Sequence, residues 1–182
     1  MNSPSANEPG HRFVRVTAWS LLVLGIVLGL LALLQGALAL VMDLAGITTL
    51  VLADPSFAYL PASLDWLFRH LLFISLMIVA LSVVSVIAGV GLLRLRHWAR
   101  RLSIALMAFG AVANLAGMVF QARLLTELRD RAELLPAPLD QLIVAHYWSS
   151  QISGAVFSLV FTLGFAWTAW RLCQADVRAA CA

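Results

Sequence analysis

Four long apolar runs dominate the pattern of hydrophobic and polar positions along this chain, and they are separated by two loops of 28 residues and one short basic turn. They cover residues 16–42, 71–93, 102–122 and 151–170, and none contains an ionisable side chain. A helix needs about 20 apolar residues to cross a hydrocarbon core that is ~30 Å thick. Because hydrocarbon offers backbone groups no hydrogen-bond partner, we expect an all-α membrane protein built as a four-transmembrane-helix bundle.

The two ends of the chain are predicted to be tails. Residues 1–15 are polar and contain two prolines and a glycine, so we expect a disordered cytoplasmic tail there. Residues 173–182 are the predicted second cytoplasmic tail, and residues 16–172 form the transmembrane domain between them.

The distribution of arginine predicts how the chain is threaded. Eight of the twelve arginines lie on one side of the predicted membrane, next to the ends of the apolar runs. They are found near the two ends of the chain and in the turn after residue 93. The positive-inside rule places that side, with both termini, in the cytoplasm.

The two loops on the opposite side contain helical signals of their own. Residues 62–70 are amphipathic and are predicted to form a short interfacial helix in the first outer loop. Residues 123–133 are predicted to continue the third helix beyond the bilayer, where Glu127 and Arg131 are spaced to form an ion pair.

A short similarity between the two outer loops suggests an internal repeat. Residues 60–67 and 135–142 match at six of eight positions, at an offset of 75 residues. This pattern favours a duplicated helical hairpin, with both copies in the same orientation. Leu and Ala are so common in this chain that compositional chance is an equal alternative.

Composition supports a lipid environment and argues against nucleic-acid binding. The chain is 62% hydrophobic and 12% charged, with a formal net charge of +3 and no lysine. Soluble domains are about 25% charged. The arginines cluster at predicted helix ends and not on one soluble face, so the positive charge does not indicate a nucleic-acid partner.

Small and polar residues within the runs predict helix packing. In the third run, Gly110, Asn114 and Gly117 share one face, where a neighbouring helix could approach closely and Asn114 could hydrogen-bond across. Two further pairs share a face within their runs, Gly25 with Gly29 and Gly154 with Ser158. No ionisable group lies at a predicted hydrocarbon centre, which argues against a proton relay or an ion-coupled carrier.

A set of polar residues at the outer ends of two runs is the weaker candidate for chemistry. Asp65, His70, Asp140 and His146 could form a metal or catalytic site if the fold brought them together. The two aspartates also suit the positive N-terminal ends of helices, and we favour that structural role. We therefore expect no catalytic residue, metal ion or cofactor.

The basic turn is the most distinctive segment. Arg94, Arg96, Arg100 and Arg101 are predicted mainly to set topology, and they are also candidates for binding anionic lipids of the inner leaflet or an acidic partner. Residues 91–100, Gly-Leu-Leu-Arg-Leu-Arg-His-Trp-Ala-Arg, resemble a turn of small uncharacterised bacterial four-helix integral membrane proteins. This resemblance implies a bacterial inner-membrane location and implies no activity.

These observations favour a non-enzymatic accessory or scaffold subunit, working as a homo-oligomer or with a partner membrane protein. A first alternative is a small channel or carrier for a neutral or hydrophobic solute, lined by Asn114, Gln35 and serines. A second alternative is a membrane enzyme that uses the outer Asp and His residues. A water-filled cavity at Asn114 would favour transport, and convergence of the Asp and His residues would favour the enzyme.

Overall fold

The computed structural model describes residues 9–47, 49–50, 61–130 and 139–180, and these ranges contain α-helices and no strand. The helices are α1 (Pro9–Leu44), α2 (Ala62–Arg69), α3 (Leu71–Leu93), α4 (His97–Asp130), α5 (Leu139–Leu172) and α6 (Ala175–Ala180). Four of them, α1, α3, α4 and α5, are long and apolar enough to cross a membrane. The predicted all-α class and the four long apolar helices are therefore confirmed.

Three of the long helices extend beyond the apolar runs that predicted them. Only α3 has the predicted bounds, whereas α4 continues to Asp130, as expected for the segment after residue 122. The prediction of a disordered tail is wrong for residues 9–15, which form the first two turns of α1. These turns are held by packing, since Val14 is fully buried and the Phe13 ring lies edge-on to Trp167 at 5.6 Å between centroids.

The long helices form two antiparallel pairs, α1 with α3 and α4 with α5. In the first pair, Gly89 lies against Ala18, and Gly36, further along α1, lies against Ser75. The α3–α4 turn joins the two pairs. We call the end that carries this turn, the start of α1 and the end of α5 the turn end, and the opposite end the loop end.

Small residues at seven-residue intervals form the α1–α3 interface. The stripe on α1 is buried and consists of Ala18, Gly25, Ala32 and Ala39. On α3 it faces a second buried stripe, Ser75, Ser82 and Gly89. A strict seven-residue repeat is typical of helices that supercoil in a left-handed sense. Small side chains let the two backbones approach closely, which increases van der Waals contact.

The serine hydroxyl groups at this interface form hydrogen bonds within their own helix. Ser75 Oγ donates to the Leu71 carbonyl at 2.9 Å, and Ser82 Oγ donates to the Ile78 carbonyl at 2.8 Å. Both acceptors lie one turn earlier on the same helix. The serines therefore act as small residues that leave no unpaired hydroxyl proton between the helices.

The α3–α4 connection is a tight turn of three residues. Arg96 N donates to the Gly91 carbonyl at 3.0 Å and Leu95 N donates to the Leu92 carbonyl at 2.9 Å. This pair of bonds defines a Schellman motif, in which the residue at the Leu95 position adopts a left-handed conformation. Leu95 has φ 52°, a region that favours glycine. The two apolar runs predict a connection of residues 94–101. The observed turn is shorter because α4 already begins at His97.

The hydrophobic core is concentrated at the turn end, where both helix pairs and α6 meet. Its buried members are Val14, Ala18, Leu21, Ala88, Leu92, Ala99, Met107, Leu172 and Val177.

Residues 175–180, expected in a tail, instead form α6, which docks on the start of α1. Val177 is fully buried there, and a salt bridge joins Arg171 to Asp176 at 3.0 Å.

At the loop end, helix α2 is present where the amphipathic segment predicted it. Pro61 precedes its first turn, and Asp65 lies within that turn. Ser63 Oγ donates to Glu127 Oε2 on α4 at 2.9 Å, so the two helix pairs are also connected at this end. Arg131, the predicted partner of Glu127, lies outside the described residues.

Candidate functional site

The α4–α5 interface is built on hydrogen bonds that cross from one helix to the other. Asn114 Nδ2 donates to the Ser158 carbonyl at 2.7 Å and to Thr162 Oγ1 at 2.9 Å. Ser158 Oγ in turn donates to the Asn114 carbonyl at 3.3 Å. Asn114 thus bridges two helices at mid-length, where lipid would offer its amide no partner.

Two glutamines form a second set of bonds about two turns away. Gln121 Nε2 lies 3.5 Å from the Ser150 carbonyl, and Gln151 Nε2 donates to the Ala122 carbonyl at 3.2 Å. The Gln121 amide occupies the space that a side chain at Gly154 would fill. Gly154 therefore makes room for a polar contact as well as for close helix packing.

A groove of 640 Å³ opens along the face of this pair. Its lining includes Asn114, Gly117, Gln121, Ser150, Gly154 and Phe157. The groove divides the face of α4 that the sequence predicts for helix packing, so that one part of the face contacts α5 and another part is open. Gly110 lies against the Phe165 ring, with 3.2 Å from a Cβ at Gly110 to the nearest ring atom, whereas a Cβ at Gly117 would meet nothing within 4 Å. Gly117 therefore opens the groove and does not pack against α5.

Gln35, which the transport alternative placed beside Asn114, is an exposed residue of α1. It belongs to the other helix pair and does not line the groove. The described residues thus place the two candidate pore-lining amides on separate surfaces.

The arginines of the turn differ sharply in exposure. Arg94, Arg96 and Arg101 are exposed, whereas Arg100 is only 8% exposed. Arg100 Nη1 donates to the Leu172 carbonyl at the end of α5, at 3.2 Å, and its Nε is buried with no hydrogen-bond partner. The prediction that Arg100 could bind lipid or an acidic partner is therefore wrong for this structure, because the side chain is buried and holds the last turn of α5.

Residues at the loop end are held in local contacts. Asp65 forms a salt bridge with Arg69 at 3.0 Å, and this carboxylate raises the pKa of Arg69 through a hydrogen bond and charge attraction. His70 stacks on Trp66 at 4.7 Å between ring centroids, and its Nδ1 lies 2.8 Å from the Trp66 carbonyl. Asp65 lies in the first turn of α2, where an acidic residue was expected, and its carboxylate is paired with Arg69 in the last turn.

The predicted outer site is not assembled within the part of the chain that the structure describes. His146 lies on α5 with an exposed side chain, and the side chain of Asp140 is outside the described residues. Among the described side chains, no group of three or more His, Cys, Asp or Glu is arranged to hold a metal ion.

Thr162 and Gln151 take part in the α4–α5 bonds and were missed by sequence reasoning. Thr162 continues the four-residue spacing of Gly154 and Ser158, so extending that pattern by one step would have found it. The burial of Arg100 has no comparable signal, since its three neighbours in the turn have the same side chain and are exposed.

Comparisons with protein-family models, with curated proteins and with solved structures found no match to this chain.

Proposed function

We propose that this protein is a multi-pass integral protein of a bacterial inner membrane, with both termini in the cytoplasm, and that it acts as a non-enzymatic accessory or scaffold subunit. The apolar surface supports membrane insertion. Only 17%, 17%, 6% and 6% of the most apolar stretches of α1, α3, α4 and α5 are buried. A surface so apolar is stable in hydrocarbon and would aggregate in water.

The α4–α5 groove is the observation that carries the proposed subunit role. It combines glycines, which allow close approach, with the polar side chains of Asn114, Gln121 and Ser150. Small residues beside groups that can hydrogen-bond are the usual elements of a helix–helix interface in membranes. A helix from a second copy or from a partner membrane protein would cover these groups better than lipid does.

Site-specific photo-crosslinking in membranes tests this role. Phe161 lines the groove and is 56% exposed, while Leu163 is a matched control that is 60% exposed and lies outside the lining. A photoreactive residue at 161 is expected to form a protein adduct, and one at 163 is not. An adduct of twice the chain mass would identify a second copy. Lipid adducts alone at both positions would contradict the proposal.

Reporter fusions test the proposed threading. A reporter that is active only in the cytoplasm should be active after Ala182, and a periplasmic result there would contradict the orientation. Purification without detergent gives a separate test, because a chain that stayed dissolved and monomeric would not be an integral membrane protein.

A second candidate is a small channel or carrier for a neutral or hydrophobic solute. The specific observation in its favour is that the groove reaches Asn114. Flux of small neutral solutes into liposomes that contain the protein, and its loss in Asn114→Leu, would support transport. Flux equal to that of empty liposomes would exclude this candidate for the solutes tested.

The internal repeat also stays a proposal. Ser75 and Ser150, related by the offset of 75 residues, both lie at an interface with the preceding long helix. Gly89 and Gly164 are related by the same offset but differ, since Gly89 is packed against α1 and Gly164 is open. Related sequences that retained the offset match would support duplication, and loss of the match among them would contradict it.

A further inference from the structure

A cavity of 520 Å³ lies at the turn end, between the first two turns of α1 and the end of α3. Its lining includes His11, Arg12 and Arg15 from α1, and Leu92, Leu93 and Leu95 from α3 and the turn. The geometry points to a binding site for an anionic phospholipid, with its phosphate beside Arg12 and Arg15 and the start of an acyl chain against the leucines. This inference rests on the proposed membrane location and deepens it by naming a lipid class and its site.

Among the residues that the structure describes, no carboxylate neutralises the positive charge of this cavity. Arg12 and Arg15 are three residues apart on one helix, and both are exposed. The first turn of α1 contains no acidic residue. Asp176 is the only carboxylate among the described residues at this end, and it is paired with Arg171 at 3.0 Å. Two free guanidinium groups suit a phosphate, which accepts several charge-assisted hydrogen bonds.

The apolar side of the cavity selects a lipid over a free phosphate ester. Leu92 and Val14 are fully buried and form its inner wall, while Val16 on the same lining is 58% exposed. From this end of the molecule, α1 and α3 run side by side as helices that are apolar enough to cross a membrane. A ligand with an anionic head and an alkyl chain would use both surfaces, whereas a soluble phosphate ester would use only the arginines.

This site is distinct from the arginine turn. Arg94 and Arg96 line a separate, smaller cavity of 220 Å³ together with Trp98 and Gly91. The two pairs of arginines therefore lie on different surfaces of the same end. The turn arginines are candidates for lipid binding too, and this separation allows the two pairs to be compared, because each can be neutralised without changing the other.

Native mass spectrometry of the full-length protein in mild detergent tests the site. The probes are phosphatidylglycerol, phosphatidylcholine of the same acyl chains, and soluble glycerol phosphate. The wild-type protein is expected to bind phosphatidylglycerol most tightly. Arg12→Gln/Arg15→Gln should weaken that binding about thirtyfold, since each basic residue near a membrane surface contributes about fivefold. Arg94→Gln/Arg96→Gln, which neutralises the exposed candidates for lipid binding in the turn, should weaken the binding to a clearly smaller extent.

Several results would overturn the assignment. Equal loss of affinity in the two double variants would show a general charge effect and no specific site. Glycerol phosphate that bound as tightly as the lipid would show that the leucine wall is unused. Equal affinity for phosphatidylglycerol and phosphatidylcholine would exclude an anion-selective site. Two controls accompany these measurements. The helix content of both double variants, measured by circular dichroism, must match that of the wild type. Arg12→Lys/Arg15→Lys, which keeps the charge, should retain most of the affinity.

The failure of this inference is distinguishable from failure of the proposed function. A protein that required detergent but showed no preference for phosphatidylglycerol would overturn only the lipid site. A protein that stayed dissolved without detergent would overturn the membrane location on which the site rests.

Discussion

Gly25 and Ser82 approach so closely that a Cβ on Gly25 would lie 3.1 Å from the Ser82 carbonyl oxygen. The same added atom would lie 3.0 Å from a methyl carbon of Val86. Because one of these neighbours is backbone, the interface cannot accommodate the atom by rotating a side chain. The contact therefore sets how near α1 can come to α3.

Gly25→Ala is expected to separate α1 from α3 and to have a free energy of unfolding about 1–3 kcal/mol below that of Gly164→Ala, the usual cost of overpacking. Gly164→Ala is the matched control, since nothing lies within 4 Å of a Cβ there. It should be neutral, or stabilising by up to about 1 kcal/mol through helix propensity. Thermal unfolding in detergent, followed by circular dichroism, measures both. Equal shifts would contradict the role of close approach.

Asn114→Ala should destabilise the α4–α5 pair through loss of the bonds to Ser158 and Thr162. A double-mutant cycle with Thr162→Val should give a coupling of about 0.6 kcal/mol, the average for hydrogen bonds between membrane helices. Thr168→Val is the control, because Thr168 Oγ1 donates within its own helix to the Gly164 carbonyl at 2.8 Å. Coupling of Asn114 to Thr168 as strong as to Thr162 would argue against a direct bond.

Arg100→Ala should destabilise the protein by about 1.5–3 kcal/mol, because a hydrogen bond from a charged donor to the end of α5 is lost. Arg101→Ala, one position along, should change stability by less than about 0.5 kcal/mol, since that side chain is exposed. Equilibrium unfolding of both variants in detergent compares them. A stabilised Arg100→Ala protein would mean that burying the unpaired charge costs more than its bond contributes.

Substitutions of Leu95 measure how much stability the left-handed backbone conformation at this position costs. Leu95→Ala removes the packing of this side chain against the core and keeps the unfavourable φ, whereas Leu95→Gly removes both. Leu95→Gly is therefore expected to be the more stable of the two by about 1 kcal/mol, the strain of a left-handed residue that has a Cβ. If Leu95→Ala unfolded at the higher temperature, the turn would not retain this conformation.

The agreement between prediction and structure was closest where a run was both apolar and sharply bounded. Residues 71–93 were predicted as a span and form α3 with the same bounds, between His70 and the arginine turn. The starts of α1 and α5 were predicted less well. A helix continues as far as its backbone bonds and packing allow, whereas apolar composition marks only the part suited to lipid.

The candidate site was predicted in part. Asn114 and Gly110 were identified from spacing, and the structure places both against α5. The groove beside Gly117 was not predictable, because the spacing of small residues does not reveal which of them is covered by a neighbouring helix. The seven-residue stripe from Ala18 to Ala39 was readable in the sequence but becomes meaningful only once its partner, α3, is known.

The amino-acid sequence by itself determined that the chain forms long apolar helices with a basic turn, because composition and run length control local helix formation and affinity for lipid. Only the tertiary structure decided that α1 pairs with α3, that α6 docks on α1, and that Arg100 is buried while Arg101 is exposed. These outcomes depend on which surfaces meet, and contacts between residues distant in the chain decide that.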